Sequence, residues 1–310
     1  MYPQTITQHL KLPLLPVTKD QVTVVIPVKN EEQAIKLVID ELSEEGYSNI
    51  LVVDGYSSDK TTQIIKEKTK VKFIEQHGGG KTGAVKTAIE HVSTPYLVVI
   101  DGDYTYPAKD IQRLLNHCAN YAQVIGVRNK ENISRTHRLG NWIITKSFNL
   151  LMGTSLSDIC SGMYLLKTEV AKNMELSSKN FATEVEIAAQ AVGEQGVTEV
   201  PIGYRRRLGR GKLSWRNGFG ILLSIIGLAR KYNPLLVFSA FSLLSIIPAI
   251  IVLTWVIYRQ FVFGVWHSGW ALMGVMLLLF ASQALSVTTM VLLVKRTEKR
   301  IIQQIRKAKA

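Results

Sequence analysis

Two long stretches without a charged residue shape the last third of this chain, one between Lys231 and Arg259 and one between Arg259 and Lys295. Their most apolar parts are residues 235–258 and 271–294. As a helix, each is roughly 36 Å long, enough to cross a hydrocarbon layer of roughly 30 Å with some tilt. Neither has a polar face, which argues against two buried helices of a soluble core. Pro248 falls inside the first and is tolerable there as a kink. Trp255, Tyr258, Trp266 and Trp270 gather near the turn between the stretches, where an aromatic belt meets a membrane interface.

Charge sharpens this reading. The chain of 310 residues has a formal net charge of +13. Residues 1–204 hold 21 basic and 23 acidic residues, whereas residues 205–310 hold 16 basic residues and one acid, Glu298. A basic segment that is also the greasy segment points to a lipid surface and away from nucleic acid. Basic residues flank the two stretches on their outer sides, and the connecting loop holds only Arg259 and His267. The positive-inside rule then places both ends of the chain in the cytoplasm. Residues 217–229 are apolar but too short to span, and read as a helix lying in the interface. Pro3, Pro13 and Pro16 interrupt the first residues, so no secretory leader is expected. Cys118 and Cys160 cannot build a disulfide framework or a four-ligand zinc site, which fits a reducing compartment.

The first 230 residues follow another rhythm. Residues 22–28, 49–53, 71–75, 96–100 and 123–127 are short runs rich in β-branched side chains. Helical patterns separate them at 31–45, 60–68, 83–91 and 107–117. Alternation of this kind predicts a mostly parallel sheet covered on both faces, with ligands beyond the carboxyl ends of the strands. Polar clusters fall at those ends: Lys29-Asn30-Glu31, residues 54–61, residues 76–82 and Asp101-Gly102-Asp103.

Asp101 and Asp103 offer hard oxygen ligands at the end of a buried strand. That suits Mg²⁺ or Mn²⁺ shared with a diphosphate, while an Asx turn opening the next helix is the plainer alternative. The glycine-rich run before Lys81 fails the Walker spacing, because Glu75 stands where glycine is needed. It reads equally as a phosphate-approaching loop or as a turn. Asp59 or Ser58 suits a helix N-cap, whereas Asp54 is available to accept hydrogen bonds from a nucleobase. The cationic run 204–213 suits either a lipid surface or a mobile clamp on phosphates. The histidines show no metal-ligand spacing.

Taken in order, these motifs resemble the family 2 glycosyltransferases of GT-A fold, and within them the polyprenyl-phosphate (dolichyl-phosphate) sugar synthases. The matching pieces are Ile26-Pro27-Val28-Lys29-Asn30-Glu31-Glu32, residues 53–61, Gly80-Lys81-Thr82-Gly83-Ala84, Asp101-Gly102-Asp103, Asp158-Ile159-Cys160-Ser161-Gly162, and residues 199–202 leading into Tyr204-Arg205. The resemblance implies an α/β GT-A catalytic domain, Rossmann-like with a mostly parallel sheet, over residues 21–215. An N-terminal extension (1–20) precedes it. An interfacial helix (216–231), a two-helix transmembrane hairpin (232–294) and a basic cytoplasmic tail (295–310) follow.

The implied activity is inverting transfer of one hexosyl or N-acetylhexosaminyl unit from a nucleotide-diphosphate sugar to polyprenyl or dolichyl phosphate at the cytoplasmic leaflet. By the same resemblance Pro27, Glu31, Asp54, Lys81, Asp101 and Lys212 hold the donor, with Arg205 closing over its pyrophosphate. Asp101, Asp103 and Thr105 form the metal set for Mg²⁺ or Mn²⁺. Thr105 stands where mannose synthases of this group often offer glutamine. Arg128 ends the fifth strand and Arg138 opens the following helical stretch, and the resemblance gives both to the acceptor phosphate. The second-strand motif reads Asp54-Gly55-Tyr56 where many relatives have Asp-Asp-Gly, and Lys29 replaces a common tyrosine. GDP-mannose, UDP-glucose and UDP-N-acetylglucosamine therefore all stay open as donors. Two rivals share the fold. A processive polysaccharide synthase needs a Gln-x-x-Arg-Trp motif, and this chain has only Trp215-Arg216. A non-catalytic membrane scaffold would not need Asp54, Asp101, Asp103, Arg128 and Arg205 together.

Overall fold

A computed structural model describes residues 17–69, 71–177, 183–209 and 234–309. The expected interfacial helix, residues 1–16 and Lys212 lie outside the described residues. The chain divides into two compact units, Met1–Ile225 and Ile226–Ala310.

The first unit is built on seven strands: β1 (Val22–Val28), β2 (Ile50–Asp54), β3 (Val71–Glu75), β4 (Tyr96–Val99), β5 (Gln123–Arg128), β6 (Tyr164–Lys167) and β7 (Val197–Ile202). Their order is β3-β2-β1-β4-β6-β5-β7. All run parallel except β6, which is antiparallel to both β4 and β5. The first five strands fall where the β-branched runs predict them. β6 and β7 lie outside those five runs, although β7 is itself rich in β-branched residues. β6 is only Tyr-Leu-Leu-Lys, and β7 carries Glu199 and Pro201, which a strand at the edge of the sheet tolerates.

Strand alternation sorts the core into two layers. Val22, Val24, Ile26 and Val28 of β1 join the cluster that includes Ile35, Val38, Ile39 and Leu42 of helix α1 (Ile35–Glu44), Ile65 of α2 (Thr61–Lys66) and Ile111 of α4 (Ile111–Leu115). Helix α3 (Gly80–His91) packs on β1 and β2 and touches α6 (Thr168–Lys172), while α5 (Arg135–Met152) touches α7 (Thr183–Gly193). The predicted helix from residue 31 is regular only from Ile35; residues 32–34 form a turn in which the Ala34 and Ile35 N–H groups both bond Glu31 O (3.0 and 2.9 Å). The 107–117 pattern breaks into a 3₁₀ turn, Ala108–Asp110, followed by α4.

The sheet order reverses between β2 and β4 on either side of β1, and this switch point places the ends of β1 and β4 side by side. Pro27 helps to open that crevice. Pairing of β1 with β2 runs on to Val28–Asp54, but pairing with β4 stops at Val25–Val99. The Ile100 N–H bonds Val25 O (3.0 Å), and the next ladder position on that side would need the N–H that Pro27 lacks.

In the second unit two helices, Pro234–Phe263 and Ser268–Lys309, are joined by a short turn. Phe238–Phe263 and Ser268–Val294 are long and apolar enough to cross a membrane. Small residues bring them together, with Ala249 and Ala281 buried and Ser242 donating to Ala281 O (3.1 Å). Trp255 stacks on His267 (4.9 Å between centroids) and meets Trp270 edge-on (6.0 Å).

Candidate active site

The loops after β1 and β2 are bonded into one wall. Asn30, at φ +53°, donates its N–H to Ser57 Oγ (2.8 Å) and accepts the Ser58 N–H at Oδ1 (2.7 Å). Glu32 accepts the Lys60 N–H (3.0 Å), and Asp59 accepts the N–H groups of Glu32 (3.3 Å) and Thr61 (3.0 Å). Asp59 thus bonds the first N–H of α2, but the cap position itself is taken by Lys60 and not by Asp59 or Ser58. Asp54 differs from expectation. It is 3% exposed, and its two oxygens accept the Ser57 N–H (2.9 Å) and hydroxyl (2.5 Å), so it closes its own turn. Gly55 fits the sharp bend because a Cβ there would lie 3.2 Å from both Gln76 Oε1 and Val28 O. The exposed side chain beyond it is Tyr56, at φ +60°, with its hydroxyl on Gln76 O (2.8 Å).

The end of β4 carries the two aspartates, and their surroundings differ. Asp101 Oδ1 accepts from Lys81 Nζ (2.5 Å), and Lys81 also meets Glu184 Oε1 of α7 (2.5 Å). Burial alone would push the Lys81 ammonium toward neutrality, but Asp101 and Glu184 outweigh it and hold its pKa well above the usual lysine value. The other Asp101 oxygen lies over Gly162, where an added Cβ would be 1.9 Å away. The Gly162 N–H in turn donates to the Tyr106 hydroxyl (2.7 Å).

Asp103 is 5% exposed. Its Oδ1 accepts the Thr105 N–H (3.1 Å) and hydroxyl (2.5 Å), and its Oδ2 accepts from Arg207 (2.8 Å). Burial, and after it the Asp101 charge, push the Asp103 carboxyl above its usual range, with Thr105 and Arg207 pulling the other way. Arg207 bridges from Asp103 to Glu31, and its Nε is buried without a hydrogen-bond partner among the described residues. Thr105 is 1% exposed and positions Asp103 with the hydroxyl that the sequence reading gives to a metal.

Among the described residues no three His, Cys, Asp or Glu side chains gather as a metal cage. Two neighbouring hard carboxylates, one already raised by the other's charge, still fit a divalent cation that takes its remaining oxygens from a diphosphate.

The arginines sort in a way that their spacing does not reveal. The 205–208 backbone runs beside 103–105, with the Arg205 N–H on Thr105 O (2.8 Å) and the Leu208 N–H on Asp103 O (3.3 Å). That register sets Arg207 on Asp103. Arg205 instead grips Glu41 of α1 with two bonds (2.7 and 2.9 Å) and stacks on Tyr104 (4.5 Å). Arg128 is held bidentately by Asp158 (2.7 Å twice), while Glu199 fixes the Asp158 turn through the N–H groups of Ser157 (2.8 Å) and Asp158 (3.0 Å). Arg138 is exposed and folds back on the carbonyls of Ile133 (2.8 Å) and Glu131 (3.4 Å). Arg128 and Arg205 line a cleft of about 600 Å³ together with Lys109, Arg113, Asn129 and Tyr204.

The family model described as glycosyl transferase family 2 matches residues 23–174. Over 279 residues the chain is 32% identical to glycosyltransferase AglJ of Haloferax volcanii, spanning 86% of this chain and 91% of that protein. The chain belongs to glycosyl transferase family 2. This family 2 transferase is also 30% identical to the dolichyl-phosphate hexose transferase of Haloferax volcanii, over 67% of this chain and 94% of that one. Among solved structures it is similar to glucosyl-3-phosphoglycerate synthase from Mycobacterium tuberculosis in complex with Mn²⁺, UDP-glucose and phosphoglyceric acid. The TM-score is 0.56 at 18% identity, covering 68% of this chain and 79% of that one, a likeness that shows the GT-A fold.

Two residues of the transferase escape sequence reading. Glu184 opens an Ala-, Ile- and Val-rich helix beside a second buried acid, Glu186, and nothing along the chain distinguishes the two. Arg207 is one of three consecutive arginines, and alternation along an extended segment cannot choose between it and Arg205.

Proposed function

We propose that this transferase moves one hexosyl or N-acetylhexosaminyl unit, with inversion, from a nucleotide-diphosphate sugar to polyprenyl or dolichyl phosphate at the cytoplasmic leaflet. The observation that carries the reading is the unsatisfied guanidinium Nε of Arg207 beside the buried Asp103 and the part-exposed Asp101 at the sheet's switch point. A spare cationic donor next to two carboxylates is what a metal-bound pyrophosphate needs: oxygens for the metal and an N–H for the phosphate. The relative named as a dolichyl-phosphate hexose transferase supports the acceptor class. The Mn²⁺ and UDP-glucose held by the solved neighbour support the donor class and a divalent metal.

In this reading Pro27, Glu31 and the turn closed by Asp54 form the nucleoside wall. Asp101 and Asp103 hold Mg²⁺ or Mn²⁺, which supplies neutralisation of the departing diphosphate's charge. Arg207 and Lys212 bind the pyrophosphate. Lys81 fixes Asp101 from inside. Arg128, at the edge of its cationic cleft, takes the acceptor phosphate, with Arg138 at the following helix start. No special base is required, because a phosphate monoester with a second pKa of about 6 is already mostly dianionic at neutral pH. Alignment against the anomeric carbon and charge stabilisation of the leaving group suffice.

The two apolar helices keep the chain in the bilayer that also holds a polyprenyl tail, which raises the acceptor's effective concentration. The basic flanks of those helices support a cytoplasmic active site and cytoplasmic termini. The test is a screen of radiolabelled GDP-mannose, UDP-glucose and UDP-N-acetylglucosamine with a polyprenyl phosphate. Label from one donor should enter the lipid as a single sugar. Growth of a polymer, or hydrolysis of every donor without lipid labelling, would overturn the reading.

A further inference from the structure

Helix α5 turns a greasy stripe outward. Six large apolar side chains are exposed among the described residues before 210, and four of them are on this one helix: Leu139 (59%), Trp142 (58%), Ile143 (37%) and Leu150 (71%). Together with Lys146 they occupy positions i, i+3, i+4, i+7 and i+11, an arc of roughly 100° at 3.6 residues per turn. Ile144, Thr145 and Phe148 are buried on the opposite side, so the helix already has its inward face and this is a second one.

The stripe is rigid. Ser134 Oγ accepts the His137 N–H at the start (3.4 Å), Gly153 ends the helix at φ +68°, and the Asn149 side chain ties the following turn by bonding Leu156 O (2.7 Å). Fraying therefore does not explain the exposure.

We infer that the outer face of α5 is an interfacial contact with an anionic bilayer, separate from the two membrane-crossing helices. Charge selects this occupant. Residues 135–152 contain Arg135, Arg138 and Lys146 and no acid. Lys146 stands in the middle of the apolar stripe, a position that the core of a protein–protein contact disfavours. At a lipid surface the same lysine lays its stem among the apolar residues and lifts its ammonium to the headgroups. Trp142 beside it suits the same depth. The contact does not depend on which reaction the chain performs.

Depth measurement on the full chain tests this. Nitroxide-labelled L139C, W142C and L150C, with H137C as control, exposed in the first turn of the same helix and turned away from the stripe, are reconstituted into vesicles of phosphatidylcholine containing about 25% phosphatidylglycerol. The unsubstituted chain is labelled in parallel to report any signal from Cys118 and Cys160. Positions 139, 142 and 150 should show an oxygen-to-nickel-chelate collision ratio on the order of threefold or more above that at 137. The contrast should shrink in phosphatidylcholine alone. Equal chelate access at all four positions would overturn the inference. So would protection of 139, 142 and 150 from both probes, which would mean that protein, a second copy or another part of this chain, covers the stripe.

Discussion

The two cations of the candidate site make opposite kinds of contact. Lys81 is sealed between Asp101 and Glu184 with 19% of its side chain exposed; Glu184 is buried, Asp101 is part-exposed, and α3 and α7 hold the lysine from behind. Arg207 has 27% of its side chain exposed, arrives on a segment without regular secondary structure, and bridges Asp103 to Glu31 with one N–H left over. A sealed cation acts as framework: removing it strands the buried Glu184 and leaves Asp101 without its cation. A cation on an irregular segment with a spare donor can turn that donor to an incoming phosphate while keeping its carboxylate partners. The same charge is structural on one wall of the site and exchangeable on the other.

The largest effects should come from the carboxylate that touches the exchangeable side. Asp103→Asn should lower transfer by about a thousandfold, and excess chelator should do the same to the unaltered chain until Mg²⁺ or Mn²⁺ is restored. Undiminished transfer in chelator would remove the metal from the mechanism.

Gly162→Ala probes the sealed wall without changing any charge. Its methyl would overlap Asp101, 1.9 Å from Oδ2, so the carboxylate must swing away. A fall of about a hundredfold in transfer with a retained far-ultraviolet dichroism spectrum is expected. Normal turnover would mean that Asp101 need not sit where Lys81 holds it.

Replacing Arg128 tests the far side of the site. Losing one charged phosphate contact costs about 1.5–3 kcal/mol, or about ten- to a hundredfold in transfer efficiency. Arg128→Ala should show it in the acceptor kinetics while calorimetric donor affinity stays nearly constant. Because Asp158 is then left unpaired, Arg128→Lys, which keeps the charge, is the companion that separates phosphate binding from lost packing.

Arg207→Ala and Arg205→Ala set the exchangeable and the merely paired guanidinium against each other. The first should weaken donor binding by about tenfold, and the second should leave donor affinity near that of the unaltered chain. Equal losses would return Arg205 to the pyrophosphate.

The smallest effect lies in the Arg205–Glu41 pair itself. Burial would raise the Glu41 carboxyl, but Arg205 and the Ala108 N–H outweigh it and hold its pKa below the ordinary value. A depressed carboxylate stabilises the fold above the ordinary glutamate range, and that contribution is lost as pH falls through the depressed value. The pair is part-exposed, so Glu41→Gln should cost below about 1 kcal/mol near neutral pH and nothing in strong acid. Urea melts at the two pH values read the difference directly.

Much of this was legible before any coordinates. Local runs of Val and Ile foretold β1 to β5, the strand-end polar clusters foretold which edge of the sheet carries the site, and two uncharged stretches foretold the paired apolar helices. Asp54 shows the limit of such reading. Nothing along the chain says that both of its oxygens would turn back onto Ser57, because that depends on the tight bend at Gly55 packing under Gln76 and Val28. β6 and β7 were hidden for a related reason: a four-residue strand, and an edge strand with a proline, take their structure from partners already in place.

What the sequence determined by itself is what periodicity and local chemistry encode: strand–helix alternation, an Asp-Gly-Asp at a strand end, membrane-length apolar helices and a basic C-terminal third. Side chains three or four residues apart can express those properties without distant partners. Only the tertiary structure decided that Arg207 and not Arg205 meets Asp103, that Glu184 completes the Lys81 cluster, that Gly162 makes room for Asp101, and that α5 presents a second apolar face. The first three join residues about 60 to about 105 positions apart in the chain, and a contact made across such a loop is set by the register of the sheet and not by the residues that flank it.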